Sequence, residues 1–168
     1  MPRSADHRDR DPWHDQHGHR VRFEWGPAGA VQVPADVAVV VDVLSFTTTL
    51  CIAVEKGIDV FPFRWRDARA AEHALRHGAT LAVGRFEALA LSDARHVSLS
   101  PAGLLEVEGV ARLVLPSPNG STIAFGLADS GSLVLGASLR NATAVARHAA
   151  SYAVRTGGSV VVVAAGER

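Results

Sequence analysis

Single-step alternation of apolar and polar residues occurs near the start of this chain, where Val21, Phe23 and Trp25 interleave with Arg20, Arg22 and Glu24. That period of two is the mark of a strand with one wet face, and it predicts an edge strand over residues 19–25. Residues 37–44 read differently. Val37, Ala38, Val39, Val40 and Val41 are apolar on both faces, as a strand enclosed between two helical layers must be, so this run is the expected centre of the sheet. An alternation of helices and strands follows. Helices are predicted over 47–56 with Gly57 as C-cap, over 66–77 with Gly78 as C-cap, over 121–128, and from an Asn141 cap to about residue 155. Strands are predicted over 59–63, 80–84, 112–117, 132–137 and 159–165. Between Arg85 and Gly109 the period weakens, and only Ser100 with Pro101 marks the opening of one short helix. Strands alternating with helices need crossover connections. The expected fold class is therefore α/β, a mostly parallel sheet with helices on both faces and an N-terminal edge strand. Residues 1–12 are charged or small without a period and are expected to form a mobile arm, leaving 13–168 as a single α/β domain.

Composition narrows the function classes. A chain of 168 residues, 48% hydrophobic and 20% charged, can close one core of ordinary size. Its formal net charge is zero and its basic residues do not collect on one stripe, which argues against a nucleic-acid partner. Cys51 is the single cysteine, so no disulfide framework is expected; it reads as a small buried hydrophobe in a reducing compartment. No apolar run approaches the roughly 20 residues of a membrane span, and the charged N-terminus is unlike a leader, so a cytoplasmic location and no membrane partner are expected. His14, His17 and His19 cluster near Asp15 at a spacing a transition metal could use, but they lack flanking elements to fix ligand geometry and read better as a solvated arm.

In an open α/β sheet, ligands bind beyond the carboxyl ends of the strands, where helix N-termini present free N–H groups. Three turns rich in hydroxyls and amides fall at such places: Asp42 to Thr49, Ser117 to Thr122, and Ser138 to Thr143. Any one of them could simply cap its helix, but their coincidence suggests an anion site. Asp42, an acid at the end of an apolar strand, is the sharpest signal, as a metal ligand, a base, or a buried carboxylate satisfied by backbone amides. Several phosphate chemistries are excluded. No Gly-x-x-x-x-Gly-Lys-Ser/Thr occurs and Lys56 is the only lysine, which removes a P-loop NTPase; Leu44 stands where an aspartyl-nucleophile phosphatase needs a second acid; Gly57 stands where a cysteine phosphatase needs arginine. No Gly-x-Ser-x-Gly elbow is present. Positive charge for a phosphate must come from arginine, with Arg85 and Arg140 the expected donors.

Four ordered blocks carry a family resemblance: Asp42-Val-Leu with Thr47-Thr48-Thr49, then Pro118-Asn119-Gly120-Ser121-Thr122, then Gly136-Ala-Ser-Leu-Arg140-Asn141-Ala, then Val-Val-Ala-Ala-Gly166-Glu167-Arg168. In order and spacing the chain resembles the 2-phosphosulfolactate phosphatase family, and Trp13, Gln16 and residues 21–26 are similar to an actinobacterial branch of it. The resemblance implies a Mg²⁺-dependent phosphatase, known from coenzyme M synthesis, that releases phosphate from a small phosphorylated sulfo-carboxylic acid. On this reading Asp42 would hold the metal, directly or through water, and Glu167 would be a second carboxylate, the base for the attacking water, or a solvated acid at the strand end. Backbone N–H groups and hydroxyls of the polar turns, at Thr47, Thr48, Asn119, Gly120, Ser121 and Asn141, are expected to cradle phosphate and carboxylate, with Arg85 or Arg140 neutralising charge. Ser45 stands where the family has arginine, which keeps open a second reading, a catalytically silent anion-binding relative or fragment. The family also continues beyond the position of Arg168, so a missing C-terminal segment and a homo-oligomer are further expectations.

Overall fold

A computed structural model describes residues 16, 18–84, 87 and 96–166. Its elements in chain order are β1 (Val21–Trp25), α1 (Gly26–Gln32), β2 (Val37–Val41), α2 (Phe46–Glu55), β3 (Asp59–Phe63), α3 (Ala68–His77), β4 (Thr80–Val83), β5 (His96–Ser98), α4 (Pro101–Leu105), β6 (Arg112–Pro116), α5 (Gly120–Asp129), β7 (Leu133–Ala137), α6 (Ala142–Thr156) and β8 (Val160–Ala164). Every strand pair among them is parallel, as the alternation of elements required. The strands divide into two four-stranded sheets rather than one, in the orders β1-β8-β2-β7 and β3-β6-β4-β5. Periodicity says that a strand is buried but not which strand lies beside it, so this division could not be read from the sequence.

The first sheet is built around the two most apolar runs. Strand β2 sits between β8 and β7, with Val37 facing both Val160 and Leu133, and Val39 facing Val162 and Leu135. Val37, Ala38, Val161 and Val163 are fully buried, each valine contributing roughly 1.5–3 kcal/mol on removal from water. Helices α1 and α5 cover one face, and α6 packs on the other against β7, β2 and β8.

Strand β1 is the edge strand expected, but its sidedness is reversed. Val21, Phe23 and Trp25 are 67%, 54% and 63% exposed, whereas Arg22 is 7% exposed. Arg22 is drawn inward because its guanidinium donates to the Pro34 carbonyl at 2.7 Å and to the Ser159 hydroxyl at 2.8 Å, closing polar groups the β1 face would otherwise strand. Gln16 meets the outer edge of β1, its side chain accepting from Phe23 N at 3.0 Å and donating to Phe23 O at 2.8 Å.

The second sheet is shorter. Leu113, Val114 and Leu115 of β6 form its buried middle, with α3 on one side and α2 and α4 on the other. Helix α3 starts later than expected because Asp67 is its N-cap, its carboxylate accepting from Arg69 N at 3.0 Å, and it stops at Gly78 in the left-handed conformation. Two elements escaped the sequence reading. Helix α1 has a proline and two glycines in seven residues, and β5 has three residues, so neither displays a full period. No helix among the described residues is long and apolar enough to cross a membrane.

Candidate active site

The carboxyl ends of four strands from both sheets converge on one cleft of about 400 Å³. Asp42 follows β2, Gly166 follows β8, Arg66 follows β3 and Ser117 follows β6; Ser45, Phe46, Thr49, Leu99 and Asn119 are among the other residues of the lining.

Asp42 forms the floor. Helices α2 and α5 both begin there, and the backbone N–H groups of Phe46 and Gly120 and the Ser117 hydroxyl lie near enough to its half-buried carboxylate to favour the charged form. These two helix N-termini are therefore occupied by a side chain of the protein itself, which their partial positive charge stabilises. Burial nevertheless dominates and pushes the Asp42 carboxyl above its ordinary value, against the opposing influence of those three groups and the nearby charge of Arg66. The backbone of Asp42 is fixed independently: its N–H donates to the Thr47 hydroxyl at 3.0 Å and its carbonyl accepts from Thr47 N at 2.9 Å. Neighbouring hydroxyls are likewise committed, Thr48 donating to the Val43 carbonyl at 2.7 Å and Thr49 to the Leu99 carbonyl at 3.0 Å. So Thr47, which is fully buried, and Thr48 stabilise the turn that presents Asp42.

The second turn joins the first. Asn119 donates to the Gly166 carbonyl at 3.2 Å, tying the start of α5 to the end of β8, and lines the cleft. Gly120 N also reaches the Ser117 hydroxyl at 3.1 Å. Ser121 is fully buried behind the cleft, and its hydroxyl has no partner. Gly166 has φ of 75°, and a Cβ there would stand 2.6 Å from the indole nitrogen of Trp25, so the chain can pass this point only as glycine.

The third turn stays apart. Asn141 folds back on its own turn, accepting from Ser138 N at 2.8 Å and donating to the Gly136 carbonyl at 3.0 Å. Arg140 reaches Glu55 at the last turn of α2, 2.6 Å away, so both residues lie outside the cleft lining. Helix α2 separates this turn from the cleft: Thr47 and Leu50 pack against Gly136, while Phe46 and Thr49 line the cavity. The expected guanidinium of Arg140 is thus spent on an ion pair, and Arg85 and Glu167 lie outside the described residues. In their place stands Arg66, which sequence reasoning missed. The signal was available, since Arg66 lies in the short turn between the end of β3 at Phe63 and the Asp67 cap of α3, where an open α/β sheet binds its ligands.

Among the described residues no group of three or more His, Cys, Asp and Glu is gathered for a metal. A magnesium ion does not need one, because it is commonly held by one or two carboxylates and completed by water and substrate phosphate. Asp42 fits that role, as the one carboxylate among the described residues that line the cleft.

Parallel strands whose carboxyl ends close over a carboxylate-floored cleft define an α/β protein. The family model described as 2-phosphosulpholactate phosphatase matches residues 28–168, a span that includes Asp42, Arg66, Asn119 and Gly166. The chain belongs to that family, as the four sequence blocks implied. No match to it was found among curated proteins.

Proposed function

We propose that the chain hydrolyses the phosphate monoester of a small 2-hydroxy acid, 2-phosphosulfolactate or a close analogue, with the help of Mg²⁺. Membership of the phosphatase family gives the reaction class. The observation that carries the reading to this cleft is Asp42, held half-buried by two helix N-termini and facing an arginine with which it forms no ion pair.

Charge supplies the argument for a divalent ion. A phosphate monoester of a 2-hydroxy acid brings about three negative charges at neutral pH, and about four where a sulfonate is also present, whereas the described cleft offers one carboxylate and one guanidinium. Asp42 would hold Mg²⁺, which when bound polarises a phosphoryl oxygen and lowers the pKa of bound water. Ser45 and Asn119 line the cleft with hydrogen-bonding capacity to spare and would orient the phosphate. A water oxygen attacks phosphorus, the bond from phosphorus to the substrate's ester oxygen breaks, and that oxygen takes a proton as the hydroxy acid leaves. Glu167, one residue beyond Gly166, is our candidate for the group that receives the attacking water's proton.

A panel of small phosphate monoesters assayed for phosphate release with Mg²⁺, Mn²⁺, Zn²⁺ and chelator tests this. Release from 2-hydroxy-acid esters that stops on chelation is expected. Binding of those esters without any release would favour the second reading, a silent anion-binding relative, for which Ser45 in place of the family's arginine is the specific observation.

A further inference from the structure

Arg66 occupies a position no other described side chain shares. It lines the Asp42 cleft and also two adjoining cavities of about 270 and 310 Å³, one at the end of β4 near Gly84 and one beside Trp65 and Pro118. The side chain is exposed and, unlike Arg69, Arg64 and Arg140, each paired with an acid, it has no ion pair or hydrogen bond with any described residue. It acts on Asp42 through its charge without meeting it, so a gap lies between a carboxylate on the floor and a guanidinium at the lip.

A molecule filling that gap is bifunctional. Its phosphate must lie toward the floor, where Asp42 can hold the ion that neutralises it, and whatever the phosphate is attached to extends toward the lip. We propose that Arg66 is the residue that selects acidic substrates, receiving the carboxylate or sulfonate that does not react while the phosphate lies toward Asp42. This rests on the phosphatase reading of the same cleft. A guanidinium suits the task because its planar fork binds either acid group through two N–H donors, and an exposed, unpaired side chain reorients at little cost.

The test uses two phosphonates that cannot be hydrolysed, phosphonopropanoate and its neutral counterpart propylphosphonate, titrated calorimetrically into the full chain with Mg²⁺. Wild type is expected to bind the acid about tenfold more tightly, the ratio to fall to about twofold in Arg66→Ala, and Arg66→Lys to restore part of it because charge is kept and the fork is lost. An unchanged ratio in Arg66→Ala overturns the proposal, as does an equal loss of both probes, which would place Arg66 on the phosphonate instead. Absence of any preference in wild type, or of any binding, also overturns it. Failure of the hydrolytic reading shows separately: the preference for the acid persists while no ester releases phosphate.

Discussion

A Cβ placed on Gly120 would stand 2.7 Å from Oδ2 of Asp42, so the carboxylate sits directly against backbone at the start of α5. The same atom would fall 2.3 Å from Cδ1 of Phe46, whose ring is buried and cannot retreat. Gly120→Ala is therefore expected to cost about 1–3 kcal/mol by overpacking and to displace Asp42. Urea unfolding should show the loss, and Mg²⁺-dependent turnover should fall further than the remaining folded fraction accounts for. An alanine variant as stable and active as wild type would mean that the carboxylate does not need this seat.

Asp42 also leaves a signature in stability. Burial lifts its carboxyl above the ordinary value of 3.8, so the folded chain binds that proton more tightly than the unfolded chain does. The group consequently costs stability as pH rises from its unfolded value through the raised folded one. Asp42→Asn cannot ionise and lacks this slope. In metal-free buffer, the Tm of the variant minus that of wild type is expected to become more positive between about pH 4 and pH 7. A difference that moves the other way would show a carboxylate stabilised by its site.

Strand β1 yields a contrast that its sequence pattern alone reverses. Alternation marks Val21, Phe23 and Trp25 as inward, yet the buried side chain is Arg22, held by Pro34 and Ser159. Arg22→Ala is expected to cost about 2–3 kcal/mol, since two acceptors are left behind. Phe23→Ser, on the exposed side, should change stability by less than about 1 kcal/mol. Equal losses in chemical denaturation would return the apolar side of β1 to the core.

The parts of the fold that were legible are those with a strong local signature. The valine runs of β2 and β8, the Gly78 stop of α3 and the Asp42 strand end all show in a few consecutive residues. Two kinds of feature were not legible. Sheet membership and the facing of β1 depend on which segments meet, and polar turns look alike whether they bind a ligand or cap a helix. Ser138 and Asn141 illustrate the second: the residue types suit an anion site, but their hydrogen bonds close on one another and on Gly136. Arg140 and Arg66 differ only in whether an acid lies within reach. Glu55 neutralises the first, and no acid among the described residues pairs with the second.

The most direct measurement is the rate of phosphate release from 2-phosphosulfolactate at saturating Mg²⁺ by wild type and by Asp42→Asn, each first shown to be folded by circular dichroism. Release by wild type that requires the metal, with a loss of about 100-fold or more in the asparagine variant, is the expected result, because the variant keeps the shape of the floor but not its charge. A folded Asp42→Asn protein releasing phosphate at the wild-type rate would contradict the placement of the reaction in this cleft.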